Sequence, residues 1–323
     1  MTKPSLFTSP TPSSPGQLLV AAYLLDRLAG DPAKLHPVAG FGRLAAFLEG
    51  RLWRPSRLAG TAYALSSVGA AAAVAHLLAR AFPSGHRRFW TNVALVWCAL
   101  GGKSLDRAAA QVEARLQSGD QEGAKRALRS LVGRDLDRLS TSLLSAAAIE
   151  SLADNAVDAV LGAALWFALL GAGGCWTFRA ANTLDAMVGH RSPRYRRFGT
   201  AAARLDDLMV VPAAAVGVAG CGLLAPLFGV SPAVPLRSAI TEGRRHPSPG
   251  SGPIQAAFGA VLGVRLGGPR RYAGHLEALP TFGGSRPPTP QDIGRARLLA
   301  RLLSLLGVAG CALLAERLQR GVA

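Results

Sequence analysis

The chain has little charge and, in particular, little negative charge. Of its 323 residues only 17% are charged, whereas 50% are hydrophobic, and the mean hydropathy is +0.25. Soluble domains carry about a quarter charged residues, so the composition argues against an ordinary soluble domain. The charges also cluster and leave long apolar stretches between them. This pattern predicts an all-α, multi-pass integral membrane protein with long polar, partly helical loops.

Cysteine is scarce, and its positions exclude two structural uses. The chain has four cysteines, all in or beside apolar segments and none in a CxxC pair. This arrangement provides neither a zinc site nor a disulfide framework, and it predicts small buried side chains. The six histidines likewise lack a metal-ligand spacing such as HExxH.

Recognised nucleotide-binding loops are missing as well. The sequence "GGKS" at 101–104 resembles the end of a P-loop, but Trp97 occupies the position that requires the first glycine. No GxGxxG motif follows a strand pattern. Use of ATP would therefore require a different kind of binding site.

Positive charge is abundant, with 36 Lys and Arg against 19 Asp and Glu and a net charge of +17. On a soluble protein this excess would suggest nucleic acid. In an apolar chain it predicts Arg-rich cytoplasmic loops that set the topology and contact anionic lipid, and we expect no nucleic-acid partner. Arginine also suits the recognition of phosphate or carboxylate, although high Arg with high Ala is equally consistent with compositional bias.

The chain divides into a short tail and one membrane-embedded domain. Residues 1–16 are rich in Pro and Ser and are predicted to be disordered, whereas 17–323 are predicted to form a single domain. The tail lacks the charged region and cleavage site of a signal peptide, so we expect it to be retained. Two apolar stretches are short, and four are long enough to span a membrane. The short ones are 17–28 and 89–100, and the long ones are 58–82, 156–176, 208–230 and 298–315.

The order of these spans conflicts with the charge of the loops between them. Strict alternation puts the basic blocks 103–142 and 177–207 on opposite sides of the membrane, whereas the positive-inside rule favours the same side for both. Either one span is re-entrant or the number of spans is different. The sequence leaves this choice open.

An acidic stripe leads into one of the apolar spans. In "ESLADNAVDAV" the residues Glu150, Asp154 and Asp158 are spaced i, i+4 and i+8, so on a helix they share one face, with Asn155 beside them. A charge deep in a bilayer costs roughly 2.5–3.5 kcal/mol. The three carboxylates must therefore face water, a metal or arginines. Glu150 alone could also be a carboxylate favoured by the helix N-terminus.

A second polar stretch combines acids with a run of arginines. Asn182 and Asp185 are spaced i and i+3 on one helix face, and the adjacent carboxylates Asp206 and Asp207 suit Mg²⁺ beside a phosphate. The arginines suit phosphate binding, although on their own they are equally typical of a charged collar at a membrane surface. They are Arg191, Arg194, Arg196, Arg197 and Arg204.

Two loops offer further ligand-binding groups. The turn that contains Asp31 is followed by His36, which the next proline holds in an extended conformation. The Gly267–Gly268 turn can bring backbone N–H groups close to an anion, and Arg265 adds positive charge nearby. Each pattern is equally typical of an ordinary loop.

Five motifs occur in an order that resembles a known family. They are "GDPAKLHPV", "VGRD", "AAAIESLADNAVDAV", "ANTLDAMVGHRSPRYRRFGTAAARLDDL" and "GVRLGGPRRY". They resemble the CobD/CbiB family of cobalamin biosynthesis, the adenosylcobinamide-phosphate synthases. The chain departs from the family at Asp154, where Glu is common, and at Ala159, where Gly is common. We therefore expect Glu150 and Asp158 to matter more than Asp154.

The resemblance implies an acid-amine ligase in the inner cell membrane. Such an enzyme joins the amino group of aminopropanol, usually as its phosphate, to the free propionate carboxyl of adenosylcobyric acid. The reaction consumes ATP and requires Mg²⁺ and arginines to bring the anionic substrates together. A complex with other enzymes of the pathway is a further expectation.

Roles follow from the resemblance and from the residue types. The predicted catalytic residues are Glu150, Asp158, Arg204, Asp206 and Asp207, and the predicted metal ligands are Glu150, Asp206 and Asp207. The predicted substrate-binding residues are Asp31, His36, Asn155, Asn182, Asp185, Arg191, Arg194, Arg197, Arg265, Gly267 and Gly268.

Two other functions fit the same residues. Paired acidic motifs on membrane helices also occur in prenyltransferases that bind a diphosphate through Mg²⁺. Alternatively, the chain could be a non-catalytic membrane scaffold that binds the corrinoid and gathers soluble enzymes. Acids that converge in apolar surroundings are costly, which favours an enzyme over a scaffold.

Overall fold

The computed structural model describes residues 14–32, 36–190, 192–272 and 275–322, which are almost entirely helical. Residues 1–13 of the predicted tail lie outside this part of the chain, and α1 begins at Pro15 behind a capping box at Ser14. The α-helices are α1 Pro15–Ala29, α2 Pro37–Leu52, α3 Arg57–Arg80, α4 Gly85–Trp97, α5 Gly102–Gln117, α6 Gln121–Leu128, α7 Thr141–Ala156, α8 Gly162–Leu184, α9 Thr200–Leu224, α10 Ala233–Thr241, α11 Ser251–Leu262 and α12 Pro290–Val322.

Four helical stretches of the described chain are long and apolar enough to cross a membrane. They are Arg57–Arg80, Thr141–Gly189, Thr200–Phe228 and Pro290–Gly321, with hydropathies of 1.5 to 2.2. Large apolar side chains on their outer faces are exposed, for example Leu77 at 68% and Leu223 at 71%. Lipid accounts for such surfaces because it solvates apolar side chains. The prediction of an all-α membrane protein is confirmed.

The second of the predicted spans, 156–176, is wrong because the chain reverses direction inside it. Gly171 has φ 68° and ψ −159°, which no helix contains. Arg179 donates to the carbonyl of Ala159 at 3.4 Å across 20 residues, which a straight helix would separate by about 30 Å. A Cβ on Gly162 would likewise overlap the Phe178 ring. The stretch Thr141–Gly189 is therefore a hairpin of two antiparallel helical arms.

This hairpin resolves the conflict between span order and loop charge. Its second arm returns toward the end at which α7 begins, so the basic blocks before and after it lie at the same end of the bundle. The sequence "LLGAGGC" allows the reversal because glycine adopts a positive φ without steric strain.

Two π-helical segments interrupt the arms of the hairpin. They are Val157–Leu161, between α7 and α8, and Asp185–Gly189, after α8. A π-helical turn contains one more residue than an α-helical turn and often lies at a functional site. Each of these segments carries one of the predicted acids, Asp158 or Asp185.

The region 234–291, which the sequence presents as Gly- and Pro-rich, is more ordered than its composition suggests. It contains α10, the fully buried α11 and the strands β1 Arg265–Gly267, β2 Arg270–Tyr272, β3 His275–Glu277 and β4 Thr281–Gly283. Strand β1 pairs with β4, and β2 pairs with β3, both antiparallel. These short ribbons bring the Gly267 turn against α7.

Candidate functional site

Glu150 is the most heavily paired carboxylate of the site. Its side chain is 4% exposed and forms ion pairs with Arg134 at 2.9 Å and Arg270 at 3.1 Å. The backbone N–H of Gly267 also donates to Glu150 Oε1 at 2.7 Å. Because both guanidinium groups are only 10% exposed, the three side chains form a buried, charge-assisted network.

The Gly267–Gly268 turn therefore does not offer free N–H groups to an anion, contrary to the prediction. The N–H of Gly267 is bound to Glu150, and that of Gly268 donates to the Pro280 carbonyl at 3.0 Å. Both glycines have positive φ, 80° and 87°. Arg265 is exposed on β1 and lines neither of the cavities described below.

One turn further along α7, Asp154 is only partly paired. Its Oδ2 accepts from Gln255 at 2.6 Å, and Gln255 Oε1 accepts in turn from Arg270 at 3.2 Å. Asp154 Oδ1 is buried without a hydrogen-bond partner among the described residues. Asn155 lies beside this group and donates to Ser151.

Two cavities lie on either side of the Glu150 network. One, of about 160 Å³, is lined by Asp154 and Asn155. The other, of about 460 Å³, opens between the segment before α7 and the strand ribbons, and Arg138 and Arg271 are among its lining residues. Arg134, Glu150 and Arg270 line both cavities and thus form the wall between them.

A second group, which we call the acidic cluster, consists of Asp158, Asn182, Asp185, Asp206 and Asp207. Asn182 Nδ2 donates to Asp206 Oδ1 at 3.3 Å. The negative charges of Asp158, Asp185 and Asp207 all act on Asp206. The structure thus brings the acids of both predicted stretches together because the hairpin sets its second arm opposite Asp158.

Arg204 contributes less to this cluster than predicted. Its side chain is 81% exposed and reaches Asp207 only at 3.7 Å, from the preceding turn of α9. The cation buried near the cluster is Arg179, which donates to the carbonyls of Ala99 and Ala159. Sequence reasoning missed Arg179, although an arginine within an apolar span is itself a signal of function.

The predicted metal site does not form as a set of three carboxylates. Within the described residues no group of three or more His, Cys, Asp and Glu side chains could hold a metal ion. Glu150 instead binds two arginines, apart from Asp206 and Asp207. The acidic cluster still has the hard oxygen donors that Mg²⁺ prefers, and Mg²⁺ commonly uses only one or two carboxylates together with phosphate oxygens.

The basic run after the hairpin is only partly available to a phosphate. Arg194 is bound to Glu49 at 2.8 Å and lies over the Trp53 ring at 4.6 Å, so the prediction that it binds substrate is not supported. Arg197 is exposed. Arg191 lies outside the described residues.

In the loop that contains Asp31 and His36, His36 has a structural role and Asp31 is partly buried. His36 caps α2, since its Nδ1 accepts from the Val38 N–H at 3.2 Å. Within the described part of the chain, Asp31 Oδ1 is buried without a hydrogen-bond partner, near the fully buried Asp26. Burial, followed by the charge of Asp31, raises the pKa of Asp26 to about 6. The Asp26 carboxylate faces the start of α5 at Gly102, in the "GGKS" sequence.

The arginines around Glu150 were the main omission of the sequence-based prediction. Arg134 and Arg138 lie in and just after "VGRD", and Arg270 and Arg271 lie in "GVRLGGPRRY". The sequence does not reveal which carboxylate they contact, because the two motifs are far apart in the chain. Their presence in motifs shared with a family was the available signal.

These features define a class: an α-helical membrane protein with an acid- and arginine-lined polar site between its helices. Comparison with known proteins is more specific. The family model described as CobD/Cbib protein matches residues 19–300.

Several relatives extend this match over most of the chain. Cobalamin biosynthesis protein CobD of Mycobacterium tuberculosis is 43% identical over 299 residues, covering 91% of this chain and 93% of the relative. The CobD proteins of Chromobacterium violaceum and Geobacter metallireducens are each 38% identical, over 88% and 89% of this chain and 91% and 92% of their own. The chain belongs to the CobD/Cbib family. No solved structure shows significant similarity to it.

Proposed function

We propose that the protein is an acid-amine ligase of cobalamin biosynthesis. It joins the free propionate carboxyl of adenosylcobyric acid to the amino group of aminopropanol or its phosphate, with ATP as the energy source, and gives adenosylcobinamide or its phosphate. The observation that carries this proposal is that the acids and arginines of the family motifs form two polar groups along the hairpin, the Glu150 network and the acidic cluster. Such a site suits a reaction whose substrates are all charged.

The chemistry requires two group transfers. A propionate oxygen attacks the γ-phosphorus of ATP, ADP leaves, and an acyl phosphate forms. The amine then attacks the acyl carbon, inorganic phosphate leaves, and the nitrogen loses a proton. The first step brings two anions together and needs positive charge, whereas the second needs a base.

The residues around the site divide between these two needs. Arg134 and Arg270, held by Glu150, supply fixed positive charge, so Glu150 acts as a positioning residue. Asp158 of the acidic cluster is the candidate for the base. The same cluster would hold Mg²⁺ through Asp206 and Asp207, and the ion would neutralise phosphate charge there.

The site also bears on the two alternative functions. Family membership favours the cobalamin pathway over prenyl transfer. A scaffold has no need for the costly acidic cluster, but a corrinoid carrier would also need a polar site. We place the protein in the inner cell membrane, in contact with lipid, where other enzymes of the pathway are potential partners.

A reconstituted assay tests the proposal. The purified protein in detergent is incubated with adenosylcobyric acid, ATP, Mg²⁺ and either aminopropanol phosphate or aminopropanol, and the corrinoid product is identified by mass. We expect the mass of the amide, with none formed when ATP is omitted. Tight corrinoid binding without product under all conditions would favour the carrier and contradict the ligase.

A further inference from the structure

Four arginines line the larger cavity. Of the four arginines that line it, Arg134 and Arg270 bind Glu150. The side chains of the other two, Arg138 and Arg271, form no hydrogen bond or ion pair with any residue that the structure describes. Both are exposed to the cavity mouth. Two full positive charges therefore remain unmatched in one concave site.

The acids that line the cavity leave these charges in place. Glu150 is already shared by two guanidinium groups, and Asp137 lies 3.8 Å from Arg129. The backbone N–H of the third acid, Asp135, donates to the Arg271 carbonyl at 2.9 Å. That bond holds Arg271 beside the segment that carries Arg138.

We propose that this cavity binds the terminal phosphate of a soluble small-molecule substrate through Arg138 and Arg271. The proposal rests on the proposed function, which requires at least one phosphorylated substrate. A phosphate monoester carries about −1.5 to −2 charges at pH 7, which matches two free guanidinium groups. Arginine binds phosphate oxygens in a bidentate geometry, and about 460 Å³ is within the usual range of small-molecule sites.

The apolar part of the cavity limits the chemistry of the rest of the ligand. Leu139, Leu143 and Leu276 line the same cavity as the arginines. A phosphorylated group attached to a short carbon chain would place its phosphate on the guanidinium groups and its carbons on these leucines. A lipid phosphodiester carries only one charge and would leave one arginine unmatched.

Direct binding to the purified full-length protein tests the site without relying on turnover. Titration calorimetry in detergent would compare aminopropanol phosphate with aminopropanol, and ATP with adenosine. We expect the protein to bind at least one of the two phosphorylated compounds about ten-fold or more tightly than its unphosphorylated counterpart. The double variant R138Q/R271Q should lose most of that preference, and the compound affected identifies the source of the phosphate.

Two further variants separate a loss of charge from a loss of structure. R138K keeps the charge and should retain part of the preference that R138Q loses. Arg126, exposed on α6 and outside the cavity, provides the control R126Q, which should bind like the wild type. The proposal is overturned if R138Q/R271Q binds both phosphorylated compounds as tightly as the wild type, or if it loses only the retention of anionic lipid.

The same measurements distinguish this site from the reaction. If the wild-type protein binds the phosphorylated compound through these arginines but forms no amide, the proposed phosphate site stands and the proposed ligase activity is contradicted. If R138Q/R271Q forms the amide as fast as the wild type, with unchanged KM values, the proposed ligase activity stands and the proposed phosphate site is contradicted.

Discussion

Glu150 and Asp206 are both carboxylates among apolar helices, yet their surroundings are opposite. Glu150 receives two guanidinium groups and one backbone N–H. Asp206 receives one amide and faces three other acids. A fully paired buried charge holds structure together, whereas an acid kept among like charges is available to a cation or a proton. We therefore propose a structural role for Glu150, on the hairpin, and a functional role for Asp206, on α9 opposite it.

The largest effect on stability is expected from E150Q. The change leaves Arg134 and Arg270 buried without their shared counter-charge, which should lower the free energy of unfolding by about 3–5 kcal/mol. Thermal unfolding of the purified protein in detergent measures this loss. The control D137N changes an acid whose side chain is 84% exposed and should unfold like the wild type. Wild-type unfolding of E150Q together with lost activity would instead make Glu150 a catalytic residue.

The variant D206N tests the other half of the comparison. Removing one of several mutually repelling charges should leave the unfolding temperature unchanged or raise it. The rate of amide formation should nevertheless fall by at least about 10²-fold, because the variant loses a carboxylate proposed to hold Mg²⁺, whose stabilisation of charge is worth several kcal/mol. Rates are read from the corrinoid product by mass. Full activity in D206N would exclude the acidic cluster from the reaction.

A smaller loss of stability is expected from G267A, which alters the turn bound to Glu150. Ala at position 267 would need a φ near 80°, and its Cβ would overlap the Pro280 carbonyl. The resulting shift of the backbone would displace the N–H that donates to Glu150. We expect G267A to lower the free energy of unfolding by about 1–3 kcal/mol. Gly263 is the matched control, since its φ is 71° and a Cβ there would have open space. Equal losses in G263A and G267A would mean that the contact with Glu150 contributes nothing.

The smallest effect concerns Asp26, a buried acid outside the four candidate spans. Its pKa is raised to about 6, mainly by burial and then by Asp31. The folded state therefore binds the Asp26 proton more tightly than the unfolded state, which stabilises the fold at low pH. This contribution to the free energy of unfolding is lost as pH rises from about 4 to above 6. D26N should remove that dependence and raise the free energy of unfolding at pH 7.5 by at least about 1 kcal/mol. Unfolding curves at pH 4.5 and 7.5 test this, and the same pH dependence in both proteins would contradict it.

The sequence predicted the membrane class and the shared face of the acids because both depend on local periodicity. It could not predict the reversal at Gly171, since a glycine in an apolar run is as compatible with a straight helix as with a turn. Nor could it predict that Glu150 binds arginines rather than Asp206 and Asp207. That pairing depends on Gly267 and Arg270, which reach α7 from more than a hundred residues away.

The geometry of the site depends on the number of residues in the π-helical segment Val157–Leu161. Deleting one residue there would return the segment to α-helix and rotate everything beyond it by about 100°. A deletion after Asp158 would keep Asp158 on the face of Glu150, but the second arm would set Asn182 against a different side of α9. No side-chain replacement could restore that alignment. We therefore expect insertions and deletions here to be far less tolerated than substitutions.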